Sequence, residues 1–248
     1  MTTSGTYSFT VTAADIITDA LQELQVIGEG DSPSAYDIQR CTFALNLMLK
    51  RWAAKAVPLW TIKTISFPVV ANTGTYTIGP TGTVASSFRP LQIMEGWSRD
   101  VNGIDTPLNP ISRVDYDNLG NKNSTASVPV NFYFNPTIGS GVSASNSTVT
   151  FYPVPTDATR TIYFNVQRPL QDITTITDEF DFPAEWFEAI KWNLAASVAF
   201  KYRANENIVA YIQRLAKSSL EECMEYSQET TSVVFQPNFE QGGGYGSR

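Results

Sequence analysis

The sequence predicts an α+β fold, a helical bundle built from N- and C-terminal blocks with an inserted antiparallel β domain between them and an extended C-terminal tail. Apolar residues recur at helical spacing over 12–56 and again over 183–227. Between them, residues 61–180 hold 10 of the 14 prolines and 8 of the 15 glycines, with short β-branched runs between the turns. Neither terminal block has enough apolar faces to close a core alone, so the two ends must meet. The predicted division is 1–60 for the first half of the bundle, 61–180 for the β-rich insertion, 181–230 for the second half and 231–248 for a flexible or docking tail.

Thr12-Ala-Ala-Asp15 is a capping box with Asp in place of Glu, and Ile16, Ile17, Ala20, Leu21 and Leu24 follow at helical spacing until Gly28 and Gly30. Ser32-Pro33 supplies a cap and a first-turn proline for a longer helix that ends before Pro58. Ile38, Cys41, Leu45, Met48 and Trp52 form its apolar stripe. Phe43, Leu47 and Ala54 fall on a different side, so this helix needs two partners, the C-terminal block for one and a neighbouring subunit or a third helix of the same chain for the other.

Strands are predicted at Thr61–Phe67, Thr75–Ile78, Leu91–Trp97, Val130–Phe134, Thr148–Tyr152 and Thr161–Val166. Asn102-Gly103 is a hairpin turn, and Ser112-Arg-Val-Asp115 caps a short helix that stops near Gly120. Gly139 to Ser147 reads as a loop. A sheet, sandwich or barrel satisfies this pattern equally.

Pro183 opens a helix apolar almost all round through Trp186, Phe187, Ile190, Trp192, Leu194, Val198 and Phe200, which belongs at the centre of the bundle. After Arg203–Asn207 a fourth helix carries Ile208, Ile212, Leu215, Ser219 and Cys223 on one face. From 231 onward periodicity is lost, and Phe235, Phe239 and Tyr245 stand among polar residues and glycines, a composition suited to docking as an extended peptide.

The net charge of −7, from 17 basic and 24 acidic residues spread along the chain, leaves no basic patch for tight DNA binding. The absence of histidine removes the commonest general base and metal ligand. No cofactor or metal is expected. Cys41 and Cys223 sit in apolar helical patterns and read as small buried hydrophobes of a reducing compartment. Residues 1–8 lack the features of a secretion signal, and the apolar stretch Trp192–Phe200 is too short for a membrane span.

Chemistry-bearing patterns are sparse. Glu185 and Glu188, three apart, could pair for glycan hydrolysis, with Glu95 and Asp172 as isolated further acids, but acids in a first helical turn complement the helix dipole. Asp100-x-Asn102-Gly-x-Asp105 lacks the spacing and closing Glu of a calcium loop. Trp97, Tyr133 and Tyr163 could bind carbohydrate, although core packing accounts for them more simply. A tail-associated peptidoglycan hydrolase and a carbohydrate-binding receptor module are therefore the rival readings.

Leu45-Asn46-x-Met48-Leu49-x-x-Trp52, then Arg89-Pro90, Ser112-x-x-Asp115-Tyr116, Pro129 and Tyr152-Pro153-x-Pro155, then Phe182-Pro183-x-x-Trp186 with Asn193-Leu194-Ala195, together resemble the tail accessory factors of short-tailed bacteriophages, also called head-to-tail adaptors or packaged-DNA stabilisation proteins. The resemblance runs over roughly residues 10–228. It implies a non-enzymatic virion protein made in the host cytoplasm, a homo-oligomeric ring of usually twelve copies beneath the portal protein. The ring would extend the DNA channel, help retain packaged DNA without sequence-specific binding, and offer a platform for a downstream tail or nozzle protein. It involves no membrane, and it implies that the portal-docking role of the C-terminal tail falls on residues 231–248.

Overall fold

The computed structural model describes residues 5, 9–55, 59–136 and 146–226. It is an α+β structure with two separate hydrophobic cores, one made by the helices of both ends and one by the strands between them.

The helical part comprises α1 (Ala13–Glu23), α2 (Ala35–Lys55), α4 (Phe187–Val198) and α5 (Glu206–Tyr226). Helix α4 packs against all three others, and its Phe187, Ala189, Ile190, Leu194 and Val198 are buried, as an all-round apolar helix requires. Helices α1 and α2 pack on each other along one flank of α4. Helix α5 leans on the other flank, with Ile212 and Ala216 as its fully buried contacts. Asn193 ties the pair together by donating both to Ala189 O in its own helix and to Ala216 O of α5, at 2.9 and 2.8 Å.

Some helix boundaries fall where the sequence places them and others shift by a few residues. Thr12 and Asp15 cap α1 reciprocally. Helix α2 is capped by Ser34 with Asp37 rather than by Ser32, so Pro33 lies before the helix. The predicted glycine stop of α1 is also displaced. The helix ends at Glu23, and Gln25 takes the left-handed conformation at φ 57°, with the amides of Gln25 and Val26 closing onto Gln22 O and Leu21 O. Pro183 precedes a short 3₁₀ turn, Ala184–Trp186, rather than entering α4. Phe200, assigned to the central helix by periodicity, lies past its end and is 94% exposed.

The strand part contains all six predicted strands: β1 (Ile62–Pro68), β2 (Thr75–Gly79), β4 (Gln92–Arg99), β8 (Asn131–Asn135), β9 (Ser147–Tyr152) and β11 (Thr161–Gln167). Five shorter ones complete it: β3 (Val84–Ala85), β5 (Asp105–Pro107), β6 (Asn109–Pro110), β7 (Thr125–Ala126) and β10 (Val154–Pro155). They form a four-stranded sheet, β1-β11-β4-β5, a five-stranded sheet, β3-β2-β9-β8-β6, and the small pair β10-β7. The long pairings are antiparallel, whereas β2-β3, β6-β8 and β7-β10 are two-residue parallel contacts. Phe164 and Ile162 of the first sheet meet Phe132, Phe151 and Ile78 of the second in a sandwich core. Gly96 makes room for it, because a Cβ there would stand 2.6 Å from a ring carbon of Phe164. The Asn102-Gly103 turn joins β4 to β5 with Gly103 at φ 84°, and the Ser112–Asp115 box caps the short helix α3 (Arg113–Asp117).

The chain enters the sandwich through β1 and leaves it through the paired neighbour β11, where the Arg168 amide donates to Thr61 O at 2.9 Å. Residues 168–183 then form a strap across the helical bundle, and Ile173 and Phe180 insert into the helical core.

Candidate interaction surfaces

Helix α2 has two unlike sides. Cys41, Leu45, Met48, Leu49 and Trp52 are buried against the bundle. On the opposite side Phe43 is 63% exposed and Leu47 57% exposed. Tyr36, 62% exposed, extends this apolar line toward the N-terminus of the helix. Sequence reasoning missed Tyr36, although its position seven residues before Phe43 puts it on the same side. The side chain of Ala54 lies outside the described residues. Arg40 lies against the rings of both Tyr36 and Tyr202, with its guanidinium carbon 5.2 and 5.4 Å from their centres.

The other flank of the bundle carries an open trough of about 1020 Å³ between the end of α4 and the beginning of α5. Its lining combines small side chains at Ala196, Ala199, Ala204 and Ala210 with the charged Arg203 and Glu206 and with the exposed ring of Phe200. Tyr211 is exposed further along α5. The turn that ends α4 is held in place by Tyr202, whose hydroxyl donates to Asp37 Oδ1 at 2.8 Å. Accepting from Ser34 and from Tyr202 keeps the Asp37 carboxyl below the ordinary carboxylate range, and burial pushes the Tyr202 hydroxyl up.

The strap is clamped from below by two residues of α2. Asn46 Nδ2 donates to Ile173 O at 2.8 Å while its Oδ1 accepts from the Ile173 amide at 3.0 Å, so one side chain satisfies a whole peptide position. Lys50 donates to Leu170 O and pairs with Asp172. At the strap's ends, Arg168 and Asp181 form a two-pronged ion pair, and Trp60 Nε1 donates to Asp181 O at 3.2 Å. Trp52, Trp60, Phe182 and Trp186 pack together at this junction, with centroid separations from 5.1 to 6.4 Å. The motif residues Asn46, Trp52, Phe182, Trp186 and Asn193 therefore join segments that are far apart in the chain.

The isolated acids have structural partners. Glu188 accepts from Trp192 Nε1, Glu95 accepts from Asn165 Nδ2, and Asp172 pairs with Lys50. Glu185 lies in the 3₁₀ turn before α4, where its carbonyl receives the Cys223 thiol. In the Asp100–Asp105 turn, Asp100 Oδ1 accepts the amides of Asn102 and Ile104, and Asp105 pairs with Arg99. Those oxygens organise a hairpin. Among the described residues no cluster of three or more His, Cys, Asp or Glu could hold a metal ion, and no helix is long and apolar enough to cross a membrane.

The aromatic residues considered for carbohydrate are not in the sandwich core. Trp97 and Tyr163 stack on the outer face of the four-stranded sheet, 5.5 Å apart and 3° from parallel, and Arg99 lies over Tyr163. Tyr133 stacks on Tyr116 of α3 at 5.1 Å. Strand alternation puts one residue in two on the outer face, and rings there cover each other. Phe235, Phe239 and Tyr245 lie outside the described residues.

No curated protein sequence matches the chain. A chain from the neck of an empty GTA particle, computed with C6 symmetry, is similar at 13% identity over 84% of this chain and 93% of that one, with a TM-score of 0.25, too low for any argument from shape. The family model described as SU10 adaptor protein matches residues 11–237. That match takes in the helices of both ends, the sandwich and the strap alike, and the chain belongs to the SU10 adaptor protein family, structural head-to-tail adaptors of phage-like particles.

Proposed function

We propose that the protein forms a homo-oligomeric ring in the virion neck, bound beneath the portal protein, through which DNA passes and on which a downstream tail or nozzle protein is built. The observation that carries the ring is the uncovered side of α2. Phe43 and Leu47 spend apolar surface on solvent, directly opposite a stripe that is fully buried, and a neighbouring copy is the partner that would cover them. Family membership supports the neck location. An acidic chain with no basic lining suits a conduit, since phosphate contacts through counterion release would hold the DNA. The copy number we favour is twelve, and the segment we assign to portal docking is 231–248, through Phe235, Phe239 and Tyr245.

Electron microscopy of the purified protein, alone and mixed with portal rings, tests this reading. Rings in either sample support it. A protein that stays monomeric in both overturns it. Deleting residues 231–248 should abolish portal binding and leave the thermal stability of the folded part unchanged; full portal binding by the truncated chain overturns the docking assignment.

A further inference from the structure

Resting on the ring reading, we infer that the occupant of the trough between α4 and α5 is the outward side of α2 from the next copy. Two observations carry this inference.

The first is shape. Large exposed side chains, Phe43 and Leu47, stand on one flank of the bundle, and the trough opens on the flank that α5 occupies. The two flanks are separated by α4, and α2 and α5 are not packed on each other. A knob and a hole on different flanks of one chain make a contact that repeats from copy to copy, whereas a two-fold contact would use one patch twice. Phe200, 94% exposed in the trough lining, would gain cover from the incoming Phe43.

The second is charge. Beside its exposed apolar line, α2 carries Arg40 and Arg51 against the single carboxylate of Asp37, Lys50 being already paired with Asp172 of the strap. Helix α5 carries Glu206, Glu221, Glu222 and Glu225 against Arg214 and Lys217. The two helices are complementary in sign, which favours this pairing over α2 on α2 or α5 on α5.

The test uses full-length protein and three single variants, in sedimentation velocity at low and high salt. Leu47→Asp spoils the knob, and Ala210→Arg fills the hole with a like charge. Both positions are exposed, so each variant should keep the wild-type thermal melt. Each alone should self-associate at least about tenfold more weakly than wild type. Mixed together, the two should recover one joint and form a heterodimer that does not grow, because one intact knob meets one intact hole. Arg51→Glu should weaken wild-type assembly most at low salt, as the opposite signs of the two helices require. If the spoiled variants assemble like wild type, this contact is wrong while the ring reading stands. If the mixture stays monomeric, the pairing of these two surfaces is wrong. A wild type that stays monomeric both alone and mixed with portal rings removes the ring reading together with this contact.

Discussion

Replacing Asn46 by alanine removes both halves of the clamp that holds the strap to α2. The side chain bonds the Ile173 carbonyl at 2.8 Å and the Ile173 amide at 3.0 Å, and Ile173 is only 5% exposed, so water cannot easily take over either bond. A hydrogen bond contributes about 1 kcal/mol net, and a group left unsatisfied in a dry site costs about 1–3 kcal/mol. Together the loss should come to about 2–4 kcal/mol. In a chain of this length each kcal/mol lowers the melting midpoint by roughly 2–4 °C, so the helical core should melt about 5–10 °C earlier. Calorimetry measures this, and hydrogen exchange at the Ile173 amide reports the site itself. Asn46→Asp makes the argument sharper. It keeps an acceptor for the amide but sets a second oxygen against the Ile173 carbonyl, so at neutral pH it should be at least as harmful as alanine, and acidification should restore part of the loss by supplying an O–H donor. A midpoint within about 0.5 kcal/mol of wild type for Asn46→Ala, with unchanged exchange at Ile173, would refute the clamp.

Gly96→Ala places a methyl 2.6 Å from Phe164, inside the sandwich rather than at its rim, and should destabilise the strand core by about 1–3 kcal/mol in urea unfolding while leaving self-association intact. Asp181→Ala leaves Arg168, whose side chain is 12% exposed, without its carboxylate. A cost of up to about 3 kcal/mol and faster proteolysis of the strap are expected. Acid sensitivity should come from carboxylates held below their ordinary range in the folded state, three of which brace the helical part and the strap. Asp178 is held low by Thr175 and Thr174, Asp37 by Ser34 and Tyr202, and Asp15 by Thr12, all below the ordinary 3.8. Because their folded values are depressed, their stabilising effect is complete above 3.8 and is lost as pH falls through the lower folded values. The melting midpoint should therefore hold from neutral pH to about pH 5 and drop below about pH 4, with a shallower drop in Asp178→Asn.

Capping boxes and apolar stripes are local, and the sequence announces them: Thr12 with Asp15, Ser112 with Asp115, and the buried line through Cys41, Leu45, Met48 and Trp52. What escaped a reading of the sequence depends on residues distant in the chain. Phe200 continues the periodicity of α4, but the helix has already turned, held by the bond from Tyr202 to Asp37 across 165 positions. Asn46 enters the sequence reading only through the family resemblance, because its partner lies 127 residues away. The two-residue strands are too short to have a period. Trp97 and Tyr163 were assigned to the core because large rings are usually buried; here they shield each other on the outer face instead. The exposed side of α2 was legible through Phe43 and Leu47, yet the trough was not, since its alanines are unremarkable until α4 and α5 bring them together.

The sandwich begins and ends on neighbouring strands. Ile62 faces Gln167, and the Arg168 amide reaches back to Thr61 O, so the chain enters and leaves the insertion at adjacent points. An excursion that starts and finishes at the same threshold imposes no span on the helices beneath it. The sandwich can lengthen a loop, add a strand or change its outward face without altering the distance that the bundle must bridge. Natural selection can therefore vary the sandwich while holding the helical bundle constant.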